Sequence, residues 1–313
     1  MIKAGIVGGE SNTAGELIRI LINHPDVELA WVSAPEEEGE LLAQRHRGLT
    51  GETYMRFCGD MNPDGIDVLF LCFTEDGDSE RYLARHPQPD NLKIIDMSPD
   101  FRLPADGDSE WVYALPELNR KPLVRGATRA AVPGPFATIM LLSLLPMAKN
   151  LLLNSDIHVS CVSPSSPDTD RPGEATVLLE HEEIDETRKA LKTLQNSFDS
   201  DIHLVATAGG WDTGLAANIY MDTPIGEDEI KDIYDTFYED HGFTFLSENL
   251  PDLGEVRGTN KCLLHIEKSG STLIVSSVID DSHKGGASAA VHVMNLMFGL
   301  QERVGLMLKA SSR

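Results

Sequence analysis

The sequence predicts an α/β fold, a doubly wound parallel sheet followed by a second α+β domain, on three observations. Its opening run, Ile2–Val7, is apolar and stops at Gly8-Gly9, where a helical pattern begins. Residues 68–73 and 93–97 are almost continuously apolar, as in strands buried on both faces. Beyond the turn-rich Pro133-Gly134-Pro135, strands come closer together and the texture changes. Strands alternating with helices over about the first 140 residues imply parallel pairing. A chain of 313 residues is long for one domain and suits two.

Taken in order, the first helix is marked by Leu17, Ile18, Leu21 and Ile22 on one face, with Asn12 and Thr13 offering capping oxygens at its start. A second strand spans Val27–Ser33. Residues 138–153 read as a buried helix; they contain Pro146 and Lys149 and are too few to span a bilayer. Strands are then predicted over Ile157–Ser163, 202–207, 215–221, 263–267 and 273–279, with helices at about 183–197 and 227–239. A last helix follows Gly285-Gly286 and ends near Gly299. The expected domains are residues 1–138, residues 139–282, and a C-terminal segment 283–313 that returns to the first domain.

Charge narrows the function classes. Fifty acidic against 26 basic residues give a formal net charge of −24. A surface that negative repels phosphate backbones and anionic membranes, so neither nucleic acid nor membrane is an expected partner. Any site for an anion must be locally positive against this field. The four cysteines are far apart and lack metal-ligand spacing, so no metal is expected. Cys72 and Cys262 lie in apolar runs and read as core residues. Met1-Ile2-Lys3-Ala4-Gly5 leads straight into a strand without a secretory pattern, and the expected location is cytoplasmic.

The strand, glycine turn and helix start at residues 8–15 have the form of a Rossmann-like pyrophosphate cradle. Free amides and the helix dipole attract the anion there, and glycine lets the backbone approach it. Candidate cofactor contacts are Gly8, Gly9, Ser11, Asn12, Thr13 and Ala14, with Ser33 at the end of the second strand. Read as GxxGxxG, the loop supplies Gly5 and Gly8 but Ser11 in the third slot, and Glu10 adds a carboxylate. After Ser33 the chain reads Ala34-Pro35-Glu36-Glu37-Glu38. Successive glutamates oppose the 2′-phosphate of NADP, so NAD is electrostatically the easier guest, and a loop that binds no cofactor remains an open alternative.

Several segments together resemble the N-acetyl-γ-glutamyl-phosphate reductases, an arginine-biosynthesis family, in the variety expected of Bacteroides-like bacteria. They are Gly5-Ile6-Val7-Gly8-Gly9 with Thr13-Ala14-Gly15-Glu16-Leu17, and Asp96-Met97-Ser98-Pro99-Asp100-Phe101-Arg102. Leu115-Pro116-Glu117-Leu118-Asn119-Arg120, Pro133-Gly134, Lys284-Gly285 and Met294-Asn295-Leu296-Met297-Phe298-Gly299-Leu300 follow in the family's order. The resemblance implies a semialdehyde-dehydrogenase-like second domain, NADP as cofactor, and reduction of an acyl phosphate through a cysteine thioester with a histidine assisting. It also implies a homo-oligomer. Lys284 and Gly285 become cofactor contacts, and Ser98, Arg102 and Thr213 mark the substrate slots. For Arg102, an ion pair with Asp96 or Asp100 accounts for the residue equally well.

The reactive positions depart from that pattern. The nucleophile slot is Pro135, which has neither a nucleophile nor a backbone donor. The two histidine slots are His181 and Glu183, the arginine slot is Thr213, and the substrate loop reads Ser163-Pro164-Ser165-Ser166-Pro167-Asp168. His181 itself reads as part of a solvated helix start. Loss of all these together predicts an impaired or non-catalytic homologue, with association with an active reductase paralogue as a possible role. The alternative is an oxidoreductase that transfers hydride to a related substrate without a covalent intermediate. Cys161, two residues before the substrate loop, and His203 read as structural.

Overall fold

The computed structural model describes residues 1–103, 110–164, 172–178 and 181–310, and its backbone divides into two compact units. Residues 1–133 and 286–307 form the first; residues 134–285, with the chain from 308 on, form the second. The break at Pro133/Gly134 precedes the boundary expected at 138. The reason is that the buried helix starts at Pro135, earlier than its apolar pattern suggests, and belongs whole to the second unit. At the other end the chain changes units at Gly285/Gly286 rather than at 282/283.

The first unit contains β1 (Ile2–Val7), α1 (Asn12–Leu21), β2 (Val27–Ser33), α2 (Leu42–Arg45), β3 (Val68–Leu71), α3 (Asp78–Arg85) and β4 (Lys93–Asp96). β5 (Trp111–Tyr113), α4 (Pro116–Val124) and β6 (Arg129–Ala131) complete its run before the chain leaves. The six strands pair in the order β2-β1-β3-β4-β6-β5, every pair parallel. All four residues of β3 are buried, as a sheet covered on both faces requires. The order reverses between β1 and β3, which makes the loop after β1 the topological switch point where ligands of such sheets bind. α8 (Ala287–Met297) rejoins this unit and packs against α1, α4 and β4.

The second unit runs α5 (Pro135–Lys149), β7 (Ile157–Ser163), β8 (Ala175–Leu178), α6 (Glu182–Leu194), β9 (Ile202–Ala208), β10 (Leu215–Asp222), α7 (Glu227–Tyr238), β11 (Thr244–Leu246), β12 (Cys262–Ser269) and β13 (Thr272–Ile279). Its mixed sheet has the order β11-β12-β13-β10-β7-β9-β8. α5 is apolar on all sides and buried from Ala137 to Ala148, as a central helix must be. It contacts β10, β12 and β13 on the sheet and both α6 and α7. The α7 hydroxyls of Tyr234 and Tyr238 donate to the α5 carbonyls of Ser143, at 2.6 Å, and Leu142. The opposite sheet face carries His158, Ser160, Asn218, Tyr220 and Ser276 in register across β7, β10 and β13. Among the described residues, no helix is long and apolar enough to cross a membrane.

Candidate functional site

The turn after β1 is built for close approach. Gly8 has φ +71°, and a Cβ there would lie 2.8 Å from the Cys72 backbone at the end of β3. The Gly9 N–H donates to the Ser33 carbonyl at 2.9 Å, which fastens the loop to β2. Ser11, the third-slot residue, is the N-cap of α1, its Oγ accepting from the Ala14 N–H at 3.2 Å. His46 Nε2–H donates to the Gly9 carbonyl at 2.7 Å, and Arg45 Nε–H to the Glu10 carbonyl at 3.0 Å, so the α2 end clamps the loop from outside. Among the described residues the N–H groups of Asn12 and Thr13 have no intramolecular acceptor. Two open amides on a ten-residue helix fit a phosphate. The end of β2 is acidic. Glu36 and Glu38 are exposed there, and Arg45 lies 3.7 Å from Glu37. Ser33, an expected cofactor contact, is buried and forms a β-bridge with Cys58.

At the C-terminal end of β4, Asp96 is fully buried and accepts from Ser79 Oγ at 2.6 Å and Ser98 Oγ at 2.8 Å. Burial outweighs these bonds and pushes its carboxyl up to about 7. Ser98, an expected substrate position, is buried and bonded to Asp96. Asp100 caps the start of α3, accepting from Gly77 N–H at 2.6 Å and Glu80 N–H at 3.0 Å. Arg102 pairs with neither carboxylate. It donates from Nε to the Val132 carbonyl at 3.0 Å and from Nη2 to the Met97 carbonyl at 2.9 Å, tying the end of β4 to the segment after β6. Burial, with Asp96 and Glu10 adding to it, raises the Cys72 thiol well above its ordinary range.

In the second unit, Pro135 occupies the first position of α5, where a proline loses nothing because that amide has no helical partner. Two other amides at this end are taken from within. The Gly134 N–H donates to Glu186 Oε1 at 3.0 Å and the Ala137 N–H to Glu183 Oε2 at 2.8 Å. Both glutamates are buried, at 2% and 6% exposure. His181 is half-buried and is the N-cap of α6, its Nδ1 accepting from the Glu183 N–H at 3.3 Å, and its ring meets Phe136 edge-on at 5.7 Å. A Cβ on Gly285 would lie 2.8 Å from the Pro135 Cβ and 2.7 Å from the Asp281 carbonyl oxygen, so proline, Gly285 and the Asp281 backbone are in tight contact. Cys161 is a core residue; burial first, then Glu183 and Asp281, push its thiol up to about 12. His203 stacks on His158 across β7 and β9, ring centroids 5.0 Å apart.

Thr213, in the arginine slot, faces carboxylates. Its Oγ1 lies 2.8 Å from Asp280 Oδ1 and 3.0 Å from Asp281 Oδ1, while the Gly214 N–H donates to Asp281 and the Gly258 N–H to Asp280 Oδ2. Asp281 is raised by burial. Asp280 is lowered, because the bond and charge of His283, 3.2 Å away, together with backbone and threonine donors, outweigh its own burial. Lys284 is buried with its ammonium 6.0 Å from the Phe243 ring centroid. Ser165 to Asp168 of the expected substrate loop lie outside the described residues. Among the described residues, no group of three or more His, Cys, Asp or Glu could hold a metal ion.

The contacts of Glu183 and Glu186 were missed in the sequence, although a signal exists. Ile184, Thr187 and Leu191 form the apolar stripe of α6, and Glu183 and Glu186 lie immediately beside it, which puts them on the buried side.

Residues 3–125 match the semialdehyde dehydrogenase NAD-binding domain family, and residues 136–281 the semialdehyde dehydrogenase dimerisation domain family. Among solved structures, aspartate semialdehyde dehydrogenase II of Vibrio cholerae superposes with a TM-score of 0.71 at 14% identity, covering 96% of this chain and 98% of that one. The Candida albicans aspartate semialdehyde dehydrogenase gives 0.71 at 13%, covering 95% and 98%. These share the fold. N-acetyl-γ-glutamyl-phosphate reductases of Parabacteroides distasonis and Bacteroides thetaiotaomicron are each 41% identical over 100% of both chains. An end-to-end match at that identity, on a parallel nucleotide-binding sheet and a mixed dimerisation-type sheet, places this chain in the N-acetyl-γ-glutamyl-phosphate reductase family of the semialdehyde dehydrogenases.

Proposed function

We propose that this chain is a member of the reductase family that keeps a nicotinamide-nucleotide framework and does not reduce an acyl phosphate. The observation that carries this reading is the N-terminus of α5. Acyl transfer there requires a nucleophile and a positive field for the developing anion. Pro135 supplies no nucleophile, and the carboxylates of Glu183 and Glu186 take two of the amides that would supply the field. Thr213, bonded to Asp280 and Asp281, adds no cation for the phosphoryl group. The described cysteines of this unit, Cys161 and Cys262, are buried. Mixing the protein with N-acetyl-γ-glutamyl phosphate and following inorganic phosphate release and intact mass tests the acylation step alone. The expected result is hydrolysis at the rate of buffer and no added acyl mass. A burst of phosphate with an adduct on any residue overturns the reading.

The open amides of Asn12 and Thr13 support nucleotide binding, and the acidic end of β2 supports NAD over NADP. NADH is expected to bind at least about tenfold more tightly than NADPH in calorimetric titration, since a 2′-phosphate near Glu36 to Glu38 meets like charge. Equal or reversed affinities would remove the glutamate argument. The same amides favour the second reading, a direct hydride transfer to a related substrate.

The partner we propose is a second copy, through the open face of the β7–β10–β13 sheet. Residues 158–162, 203–207, 216–220 and 274–278 place no carboxylate or ammonium on the middle of that face, Asp222 lying at its β10 end, in a protein whose net charge is −24. Sedimentation at the mass of a dimer is expected. A monomer, or assembly only with an active reductase paralogue, would replace this reading.

A further inference from the structure

We propose that His24 pins an acid-released clasp in the first unit. While its imidazole is neutral, His24 and Asn295 hold the C-terminal segment of residues 300–307 against α1 and α8; protonation lets that segment go. The inference stands apart from the reading of position 135 and survives whether or not the chain is an active reductase.

His24 lies in the turn between α1 and β2 and is 4% exposed. Its backbone N–H donates to the Leu21 carbonyl at 3.1 Å and its carbonyl accepts from the Val27 N–H at 3.3 Å, which fixes where the ring leaves the chain. The partners set the tautomer. Nδ1 accepts the Asp26 N–H at 3.2 Å, so the ring proton is on Nε2, which lies 3.1 Å from Asn295 Oδ1 in α8. Asn295 is fully buried, and its Nδ2 donates to the Val304 carbonyl at 2.8 Å and the Glu302 carbonyl at 3.2 Å. A line of hydrogen bonds thus runs from the α1–β2 turn, through α8, to the backbone of the C-terminal segment. Packing completes it. Gly305 has φ +71° and lies so close to the His24 ring that a Cβ would collide with it, and the next residue, Leu306, is 2% exposed.

Charging the ring opposes this arrangement. The second ring proton must sit on Nδ1, where it faces the Asp26 N–H, donor against donor. Burial lowers the imidazole from its ordinary value and outweighs the Asn295 bond, the Asp26 charge and the Val304 backbone bond, which act the other way. The clasp is therefore intact above the ordinary imidazole value of about 6.5 and weakens as pH falls below it, because the released ring binds a proton that the seated ring does not. Other ionisable groups bear on the same elements. His292 of α8 lies 3.0 Å from Glu302, Arg120 of α4 lies 3.5 Å from Glu302, Arg303 precedes Val304, and Arg19 pairs with Glu16 on α1 at 2.8 Å. Variants that leave all of these in place separate their titration from that of His24.

The test is amide hydrogen exchange of the full chain, read by peptide mass at pH 5 and pH 7.5 and corrected for the intrinsic rate at each pH. In the parent, residues 300–307 are expected to exchange at least about threefold faster at pH 5, and at most about thirtyfold, the limit that an ordinary imidazole allows over this range. The α1 and β1 amides are expected to stay protected at both. H24Q places a neutral amide nitrogen where the ring Nε2 stands and removes the titration, so its exchange in 300–307 is expected to be the same at both pH values. N295A leaves the ring in place but breaks the line of bonds, and is expected to free the segment at both. Urea midpoints at pH 7.5 verify that each variant folds, and the parent's own profile decides the matter if one does not. Equal protection of 300–307 in the parent at the two pH values overturns the proposal. So does a pH dependence that persists in H24Q, because it then belongs to His292, Glu302 or their neighbours. A loss of protection spread evenly over the first unit overturns it too, since the whole unit and not the segment is then opening.

Discussion

Alanine in place of Gly8 is expected to destabilise the first unit by about 2–4 kcal/mol and to abolish nucleotide binding. Two effects add. At φ +71° a Cβ costs roughly 1 kcal/mol in the left-handed region. The new methyl also lies 2.8 Å from the carbonyl carbon and oxygen of Cys72, which are backbone atoms following a fully buried strand and have nowhere to go. Overpacking of that kind adds about 1–3 kcal/mol. Gly39 is the internal control: its φ is +84° but nothing lies within 4 Å, so Gly39→Ala is expected to show the conformational cost alone. Urea denaturation of the two variants separates the terms. Equal losses would mean that the contact with β3 is not what holds the turn.

Asp96→Asn is expected to stabilise the protein increasingly with pH, by up to a few kcal/mol above pH 7. The folded-state value of about 7 lies above the ordinary value of 3.8, because burial outweighs the bonds from Ser79 and Ser98. The sign follows from proton linkage. Below pH about 4 both states hold the proton, and Asp96 adds no pH dependence. Between about 4 and 7 the unfolded chain releases a proton that the folded protein retains, so the penalty grows and stability falls. Above about 7 the penalty is complete. The difference in unfolding free energy between variant and parent, measured by urea at pH 4, 5.5 and 7.5, is expected to rise along that series. A constant difference would mean that Asp96 is ionised throughout, or that its environment is wetter than its complete burial indicates.

Much of the first unit was legible because its strands are long apolar runs punctuated by glycine, and Ile2–Val7 and Val27–Ser33 fall where the pattern puts them. In the second unit, the alternation of Ile157–Ser163 marked β7 to the residue. The pattern was silent where elements are too short or too polar to carry a period. β5 and β6 have three residues each, α2 has four, and half of α3 is charged. The four-residue β8 strand, Ala175–Leu178, was also missed.

At the candidate site, sequence located the slots and their substitutions but could not say what the substitutes do. Pro135 is visible as a lost nucleophile, whereas the two glutamates that take the neighbouring amides lie 46 and 52 positions away. No local rule joins them. Ser33, Ser98 and Lys284 each stand where a ligand contact is expected, and their burial was not legible, because small hydroxyls and a long apolar stem fit an interior as readily as a cleft. Arg102 looked like a substrate cation or an ion-pair partner, and carbonyl oxygens claimed it instead.

The most direct test of the central claim is the complete reaction, followed by nicotinamide absorbance in both directions with NADH and with NADPH, and with the Parabacteroides distasonis reductase as the active comparison. In one direction the substrates are N-acetyl-γ-glutamyl phosphate and reduced nucleotide; in the other they are the semialdehyde, phosphate and oxidised nucleotide. The account predicts no turnover above the uncatalysed rate with either nucleotide, even at concentrations that saturate the β1–α1 loop. Turnover that disappears in Gly8→Ala would contradict it, and would mean that hydride reaches the substrate without a thioester on Pro135.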